Sequence, residues 1–553
     1  MTLSYNSGRL RVNVVNVHER RIIDAEISWQ DGVIIEIREF STENTALAYL
    51  LPGFVDAHVH IESSMLTPAE FGRIAVRHGT VAAVSDPHEI ANVLGLAGVS
   101  FMLENARQTP FHILFGAPSC VPATAFETSG ARLDAEQLEQ LFEQNEVGFL
   151  SEVMNVPGVL AGDPDLLAKL QLASRFDRPI DGHAPGLIGS DLKRYADAGI
   201  STDHECSTLA EAEAKLACGM HILIREGSAA RNFEALQPLI SRYPDRVMFC
   251  SDDKHPDDLL RGHINLLVAR ALAKGHQLFD VLQCASLNPI RHYRLAVGQL
   301  RVGDQMDAVL VSDLTTVRPQ KTWLGGCLVA EHDRSLLASS EVKPLNVFNA
   351  RQIEPADLRL PCKAEAIRVI KAFDGELLTQ EVIMTPKIIN GFLMPDPARD
   401  MLLLVVVNRY HPEPPIVAFI HGFGLHAGAL ASSVAHDSHN LIAVGADIDD
   451  LCLVVNGLIA QQGGIATVHN HHCTGLALPI AGLMSDQDGD SVARRYSELD
   501  GIAKQMGSTL SAPFMTLSFM ALLVIPELKL SDQGLFDGRN FRFTGLDVRP
   551  LNN

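Results

Sequence analysis

The sequence lacks any Cys-x-x-Cys pair, and its nine cysteines are scattered along 553 residues. Cysteines paired at that spacing are typical of thiolate zinc sites and redox motifs, and clustered cysteines are typical of secreted, disulfide-stapled domains. We therefore predict reduced thiols, a cytoplasmic location and no sulfur ligand at any metal site.

Positive charge and long apolar runs are also scarce. Lys and Arg number 45 against 66 Asp and Glu, and the formal net charge is -21, with no Lys/Arg-rich run. This balance disfavours nucleic acid or an anionic membrane surface as a partner. The most apolar late stretch, residues 513–525, is too short to span a bilayer. Residues 1–6 show no basic segment followed by an apolar core, so we expect no signal peptide.

A chain of this length predicts several domains. Alternating apolar and polar residues near both ends of the first 345 residues predict short antiparallel strands. We expect these strands to pair in one small β domain, built from residues 1–50 and 296–345. The region between them, 51–295, has a different texture, and residues 346–553 predict a C-terminal α+β domain.

A unit repeats eight times within residues 51–295. Apolar, strand-like runs alternate with amphipathic segments of helical length, including 135–144, 165–175, 209–218 and 257–274. The runs end in polar residues, at His58/His60, Asp86/His88, Ser119, Glu152, His183, His204, Arg225 and Asp252. Eight such units predict an α/β fold, a (β/α)8 barrel with its active site at the C-terminal strand ends. An open doubly wound sheet would call for a glycine-rich loop after the first strand, which is missing.

The first of these runs carries His58 and His60. On a strand, a spacing of two residues puts both imidazoles on one face, within reach of one ion, and Asp56 falls on the same face. Taken alone, a His-x-His pair is equally consistent with a polar strand end whose histidines are solvated or satisfied in the core.

The strand ends together supply six candidate metal ligands: His58, His60, Glu152, His183, His204 and Asp252. Four imidazoles and two carboxylates suit two divalent first-row metals that share one carboxylate, with zinc, manganese and iron all open. Two such metals activate a water between them, and Asp252 would take its proton as general base. Each residue also has a structural interpretation, as a loop residue, a helix cap or a locally paired side chain. Their joint occurrence at corresponding places of one repeat favours the metal centre.

Several motifs resemble a known family. Residues 52–62 are similar to the first-strand signature of the amidohydrolase superfamily. Further segments resemble the bacterial-type adenine deaminases over nearly the whole chain, namely 61–68, 86–92, 225–229, 433–440, 478–485 and 524–530. The resemblance implies hydrolysis of adenine to hypoxanthine and ammonia at a binuclear centre, with manganese or iron more than zinc. Many amidohydrolases bridge their metals with a carbamylated lysine from the fourth strand; here the resemblance assigns that role to Glu152.

The implied mechanism is attack of a metal-bridged hydroxide on C6 of the purine. Asp252 passes the proton to a ring nitrogen or to the leaving amine, and ammonia is expelled. A neutral, planar purine needs hydrogen-bonding groups between apolar walls. Our candidates for contacts with the purine are Glu62, Asp86, His88, Glu205, Arg225, Ser228 and Asp253.

Other interpretations of these residues stay open. His88, with Glu89 beside it, could cap the following helix. Arg225 and Glu226 could form only an internal ion pair, and Glu62, like Asp86, could instead orient the histidines.

We expect the C-terminal cluster of His436, Asp437 and His439 to close over the barrel mouth or to stabilise a turn, rather than to bind a third metal. The histidines within 469–472 predict a solvated loop. Two rival functions are a cyclic-amide hydrolase, which would normally carry the fourth-strand lysine, and a non-catalytic barrel scaffold, which would have no reason to keep six ligands. We expect a small-molecule purine as substrate and a homodimer.

Overall fold

The computed structural model of the chain describes residues 6–362 and 364–548. The prediction that no signal peptide is present concerns residues 1–6, of which 1–5 lie outside the described part. Within the described ranges, no helix combines the length and apolar character needed to cross a membrane.

Four strands open the described chain. Apolar residues alternate along the first two, which pair antiparallel from Gly8 opposite Trp29 to Asn16 opposite Arg21. The next turn, Asp31-Gly32, has positive φ at both residues, as a tight hairpin requires. The strands are β1 (Gly8–Asn16), β2 (Arg21–Gln30), β3 (Val33–Thr42) and β4 (Tyr49–Pro52).

Eight parallel strands then form a closed barrel, which confirms the predicted fold class. Ladders join the first five strands in order and the last three in order. Ser201 N donates to Ile180 O at 2.8 Å across one remaining seam, and Asp252 N donates to His58 O at 2.9 Å across the other. The strands are β5 (Phe54–Val59), β6 (Thr80–Ser85), β7 (His112–Ala117), β8 (Phe149–Val153), β9 (Ile180–Gly182), β10 (Thr202–Asp203), β11 (His221–Arg225) and β12 (Val247–Cys250).

Helices cover the outside of this barrel. The predicted helix over 257–274 is broken at Gly262 and His263, because His263 Nε2 turns inward to Asp56 Oδ2 at 2.8 Å. The helices are α1 (Pro68–Ala75), α2 (His88–Leu94), α3 (Leu96–Ala106), α4 (Ala135–Glu143), α5 (Val156–Ala161), α6 (Pro164–Arg175), α7 (Gly189–Asp197), α8 (Leu209–Ala217), α9 (Phe233–Leu236), α10 (Leu239–Arg242), α11 (Pro256–Arg261), α12 (Ile264–Ala273), α13 (Leu278–Leu282) and α14 (Asn288–Tyr293), with short 3-10 turns at Ile61–Ser64 and Val76–His78 and a π-helical turn at Gln283–Leu287.

Four further strands complete the sheet begun by β1–β4. They are β13 (Ala308–Val311), β14 (Pro319–Leu324), β15 (Cys327–Glu331) and β16 (Arg334–Ser335). Strand β4 pairs with β1 on one side and with β13 on the other, so both segments share one eight-stranded sheet, as their patterns predict.

The remaining chain is a mixed α and β region built on a nine-stranded sheet. Its apolar residues belong to the same hydrophobic cluster as those of the barrel, so the two regions share one core. Its elements are β17 (Leu360–Pro361), β18 (Ala366–Lys371), β19 (Gln380–Met384), β20 (Lys387–Ile389), β21 (Phe392–Met394), β22 (Leu402–Val407), β23 (Ile416–His421), β24 (Ala429–Ser432), β25 (Leu441–Gly445), α15 (Ile448–Ala460), β26 (Gly464–His469), β27 (His472–Ala477), α16 (Gly489–Gln505), α17 (Pro513–Ser518), β28 (Leu528–Ser531), β29 (Gly534–Asp537), β30 (Arg542–Phe543) and β31 (Asp547–Val548), with 3-10 turns at Pro397–Arg399 and Phe519–Ala521.

Candidate active site and metal centre

Two histidines leave the end of β5 side by side. Every residue of that strand is buried, and alternation along it places His58 and His60 on one side. Their Nε2 atoms are 3.2 Å apart. Asp56 does not join them, because its carboxylate accepts hydrogen bonds from Ser251 N at 2.9 Å and from His263 at 2.8 Å. Asp56 therefore ties β5 to the chain beyond β12 and to the start of α12.

Glu152, on β8, lies at the centre of the cluster. Its Oε2 is 3.1 Å from His183 Nδ1 and 3.1 Å from His204 Nε2, which follow β9 and β10. Its Oε1 is 3.5 Å from His60 Nε2, and its Oε2 is 3.9 Å from His58 Nε2. Oε2 thus faces three of the four histidines, and Oε1 faces the fourth, His60.

Asp252 lies just beyond β12, on the other side of the first histidine pair. Its Oδ1 is 3.3 Å from His60 Nε2 and 3.6 Å from His58 Nε2. Its Oδ2 accepts a hydrogen bond from Arg225 Nη1 at 2.6 Å. Arg225 Nη2 also donates to Glu205 Oε2 at 2.9 Å, so one guanidinium orients two buried carboxylates.

Burial and mutual charge set the protonation of this cluster. All six predicted ligands have at most 7% of their surface exposed. Burial raises the pKa of Glu152, but His183 and His204 outweigh it and hold that pKa well below its ordinary value. Burial likewise opposes ionisation of Asp252, yet Arg225 and the two β5 histidines hold its pKa well below its usual range. Both carboxylates are therefore anionic at neutral pH.

The donor atoms fit metal binding. His58, His204 and Asp252 each offer an atom within 4.8 Å of the others, and so do Glu152, His183 and His204. An ion with ligands at about 2.0–2.2 Å spaces neighbouring donors roughly 3–4 Å apart, as observed here. The His183 Nε2 and His58 Nδ1 atoms are buried with no hydrogen-bond partner among the described residues. Imidazole and carboxylate donors suit first-row divalent ions.

A small cavity opens onto the cluster. The barrel supplies its polar floor, and the C-terminal region supplies most of its apolar wall. Its lining residues beyond the ligands are His88, Glu89, Met154, Glu205, Arg225, Asp253, Leu377, His436, Asp437, Phe519, Leu522 and Val524.

Comparison with known proteins places this geometry in a family. The model of the amidohydrolase family matches residues 49–329, and that of the adenine deaminase C-terminal domain matches residues 376–542. Adenine deaminase of Salinibacter ruber is 53% identical over 539 residues, which cover 97% of this chain and 98% of that protein. The chain belongs to the adenine deaminase family. Adenine deaminases of a Sulfurovum species (53% identity, 97% and 98% covered) and of Methanosarcina mazei (49%, 96% and 98%) are similar over the same extent.

Amidohydrolases are metal-dependent, and the buried histidine–carboxylate clusters of this adenine deaminase family member provide suitable ligands. The structure brings all six predicted ligands together. Of the predicted purine contacts, it brings His88, Glu205, Arg225 and Asp253 to the cavity lining.

Three predicted purine contacts are not brought to that lining. Ser228 Oγ donates to Asp258 Oδ2 at 2.7 Å and accepts from His255 N, so its hydroxyl is already used. Glu62 Oε1 accepts from the backbone at the start of α2 (3.2 Å), and burial raises the pKa of Glu62 to about 7. Asp86 lies behind His88, with its Oδ2 3.1 Å from His88 Nδ1.

The structure also decides between the alternative interpretations of His88, of Arg225 and of the 469–472 segment. Pro87 is the N-cap residue of α2, so His88 does not cap that helix, and its N–H donates to Asp86 Oδ1 at 3.0 Å. Arg225 does not pair with Glu226, whose Oε2 instead binds Arg270 at 2.8 Å. The 469–472 segment forms the exposed hairpin between β26 and β27.

Five apolar cavity residues escaped the sequence interpretation: Met154, Leu377, Phe519, Leu522 and Val524. Apolar side chains look alike in a core and in a cavity wall, so only the apolar stretch 513–525 was a signal, and it was a weak one. His436 and Asp437 do close over the barrel mouth, one of the two roles expected of them.

Proposed function

We propose that this chain hydrolyses adenine to hypoxanthine and ammonia at a binuclear divalent metal centre, in purine salvage. Four strand-end histidines lie 3.1–3.9 Å from the Glu152 carboxylate, and Asp252 lies 3.3 Å from one of them, His60. This convergence is the observation that carries the proposal. The relatives named above, similar across both regions, favour adenine over a cyclic amide.

We assign His58, His60 and Asp252 to one ion and His183 and His204 to the other, with Glu152 shared. Asp252 Oδ1 lies 3.6 Å from His58 Nε2 and 3.3 Å from His60 Nε2, whereas His183 and His204 each lie 3.1 Å from Glu152 Oε2, and these distances support the division. Imidazole and carboxylate ligands leave zinc, manganese and iron open, and the resemblance to the adenine deaminases favours manganese or iron. Bound divalent ions would lower the pKa of a water they share towards neutrality and polarise the purine.

The chain's own residues would then move the protons. Asp252 accepts the proton of the attacking water and delivers it to a ring nitrogen or to the leaving amine. Arg225 holds Asp252 Oδ2 at 2.6 Å, which fixes the direction in which the carboxylate presents its lone pairs. Asp253 offers hydrogen bonds to the purine edge, and Phe519 offers an apolar wall.

Ammonia release tests the proposal. Purified protein is assayed on adenine, substituted purines and cyclic amides, once with added manganese and once after chelation. We expect ammonia from adenine only in the manganese arm. Absence of ammonia from adenine in both arms would refute the function, and turnover of a cyclic amide instead would establish the rival hydrolase.

Cytoplasmic location and a homodimer are further proposals. The first is supported by nine cysteines that are all free thiols. Sedimentation of the purified chain measures the second directly.

A further inference from the structure

A second cluster of histidines and carboxylates lies where the C-terminal region meets α2. Glu89, in the first turn of that helix, is 1% exposed. His436 Nδ1 lies 2.5 Å from Glu89 Oε1, and His439 Nε2 contacts Glu89 Oε2. These two imidazoles fix the orientation of the Glu89 carboxylate.

Two more side chains face this carboxylate without hydrogen bonds. His88 Nε2 is 3.5 Å from Glu89 Oε1 and 3.6 Å from Asp437 Oδ1. Among the described residues, neither His88 Nε2 nor Asp437 Oδ2 has a hydrogen-bond partner, although the two residues are only 2% and 4% exposed. A buried polar group that is left unpaired destabilises a fold, so a convergent set of such groups indicates a missing ligand.

The opposite edge of the His88 ring strengthens this indication. His88 Nδ1 lies 3.1 Å from Asp86 Oδ2. A carboxylate beside one ring nitrogen is how proteins orient a histidine whose other nitrogen binds a metal. Glu152 Oε1 is also on this edge, 3.6 Å from His88 Nδ1. The His88 Nε2 atom therefore points away from the Glu152 centre, a name that we use for Glu152 together with His58, His60, His183, His204 and Asp252.

We propose that His88 Nε2, Glu89 and Asp437 bind a further divalent metal ion, distinct from the Glu152 centre. Their ligand atoms all lie within 4.8 Å of one another. One imidazole and two carboxylates form a site for manganese, iron or zinc. The ion would join the barrel to the C-terminal region, because two ligands come from α2 and the third from the segment between β24 and β25. The sequence expectation disfavoured a third metal at this cluster, and that part of the expectation is revised here.

Anomalous scattering locates the ion directly. Crystals of the full chain loaded with manganese are measured at the manganese edge. We expect a peak bounded by His88, Glu89 and Asp437, in addition to density at Glu152. Density at Glu152 with only water between His88 and Asp437 overturns the inference. An ion bounded by His88, Glu89 and Asp437 beside an empty Glu152 centre would support the inference and count against the proposed function. Failure of the inference and failure of the proposed function therefore give different results.

Metal content gives a second measure. After manganese loading and desalting, Asp437→Asn should contain one equivalent less than the unmodified chain. The matched control is Asp532→Asn, a buried carboxylate of the same region that binds Thr128 N at 2.9 Å and touches no imidazole of the cluster. We expect the control to keep the full content. Equal content in Asp437→Asn and the unmodified chain contradicts the inference, and circular dichroism verifies that both variants are folded.

Discussion

The two histidine–carboxylate clusters of this molecule are built in different ways. The Glu152 cluster draws its side chains from five barrel strands, at or just beyond the C-terminal end of each strand. The Glu89 cluster joins the first turn of one helix to His436, 347 residues later in the chain. The first is a product of the repeated strand–helix unit, and the second is a product of two regions packing together. A site built on a repeated strand–helix unit can therefore be predicted from the sequence. A site built by packing two distant regions together has no periodic sequence pattern and cannot be predicted in this way.

The largest effect should follow from Glu152→Gln, which separates the two clusters. The change removes the shared anionic ligand, and we expect the adenine deamination rate to fall by about 10³-fold or more, since bound ions supply several kcal/mol of stabilisation. Metal analysis should show loss at the Glu152 centre, while the anomalous peak at Glu89 remains. Full activity and full metal content would show that Glu152 does not bridge.

A smaller loss is expected from Arg225→Lys, which tests orientation within the barrel cluster. Lysine cannot reproduce the fork that spans Glu205 and Asp252, so kcat should fall by about 10–100-fold with little change in KM. Arg270→Lys is the matched control, because Arg270 makes its two carboxylate contacts on the outside of the barrel. Equal kcat values for both variants would mean that Arg225 only stabilises the fold.

Phe519→Leu tests whether the C-terminal wall takes part in binding the purine. Loss of an aromatic wall should raise KM for adenine about tenfold and leave kcat nearly unchanged. Phe514→Leu is the control, since Phe514 is equally buried in α17 but is not among the residues that line the cavity. An unchanged KM in Phe519→Leu would confine substrate recognition to the barrel.

A further prediction is a pH dependence of stability that originates at one lysine of the C-terminal region. Burial lowers the pKa of Lys529 to about 7, and its Nζ donates to Leu377 O at 2.7 Å and to Phe519 O at 2.9 Å. In the unfolded chain a lysine stays protonated up to a pKa of about 10.4, so the unfolded state binds the extra proton between these pH values. The free energy of unfolding should therefore rise with pH over this window, by up to about 1.4 kcal/mol per unit from this group.

Denaturant titrations of the unmodified chain and of Lys529→Met from pH 7 to 10 measure that slope. Methionine does not titrate, so the variant should lose this part of the slope even if it is less stable throughout. Parallel curves for the two proteins would show that Lys529 is charged in the folded state.

The sequence predicts the features that depend on the strand–helix repeat. It does not predict the contacts that form when distant segments pack together. All six predicted ligands follow strand ends, and the structure brings them together because parallel strands of one barrel end at one rim. Ser228 also follows a strand end, yet its hydroxyl is consumed by Asp258 and His255 N, a contact that no local pattern encodes. The broken helix at His263 has the same cause, since its partner Asp56 is 207 residues away. Glu89 looked like a helix-cap residue because its partners His436 and His439 lie in another region.

The hydrogen bond from Asp252 N to His58 O carries a consequence for biogenesis. Asp252, the last of the six candidate ligands along the chain, therefore also joins the last barrel strand, β12, to the first, β5. A nascent chain that has emerged only as far as β11 holds five of the six ligands but no circular wall to fix them. We expect metal uptake to begin only after residue 252 has left the ribosome, so loading reports that the barrel has closed.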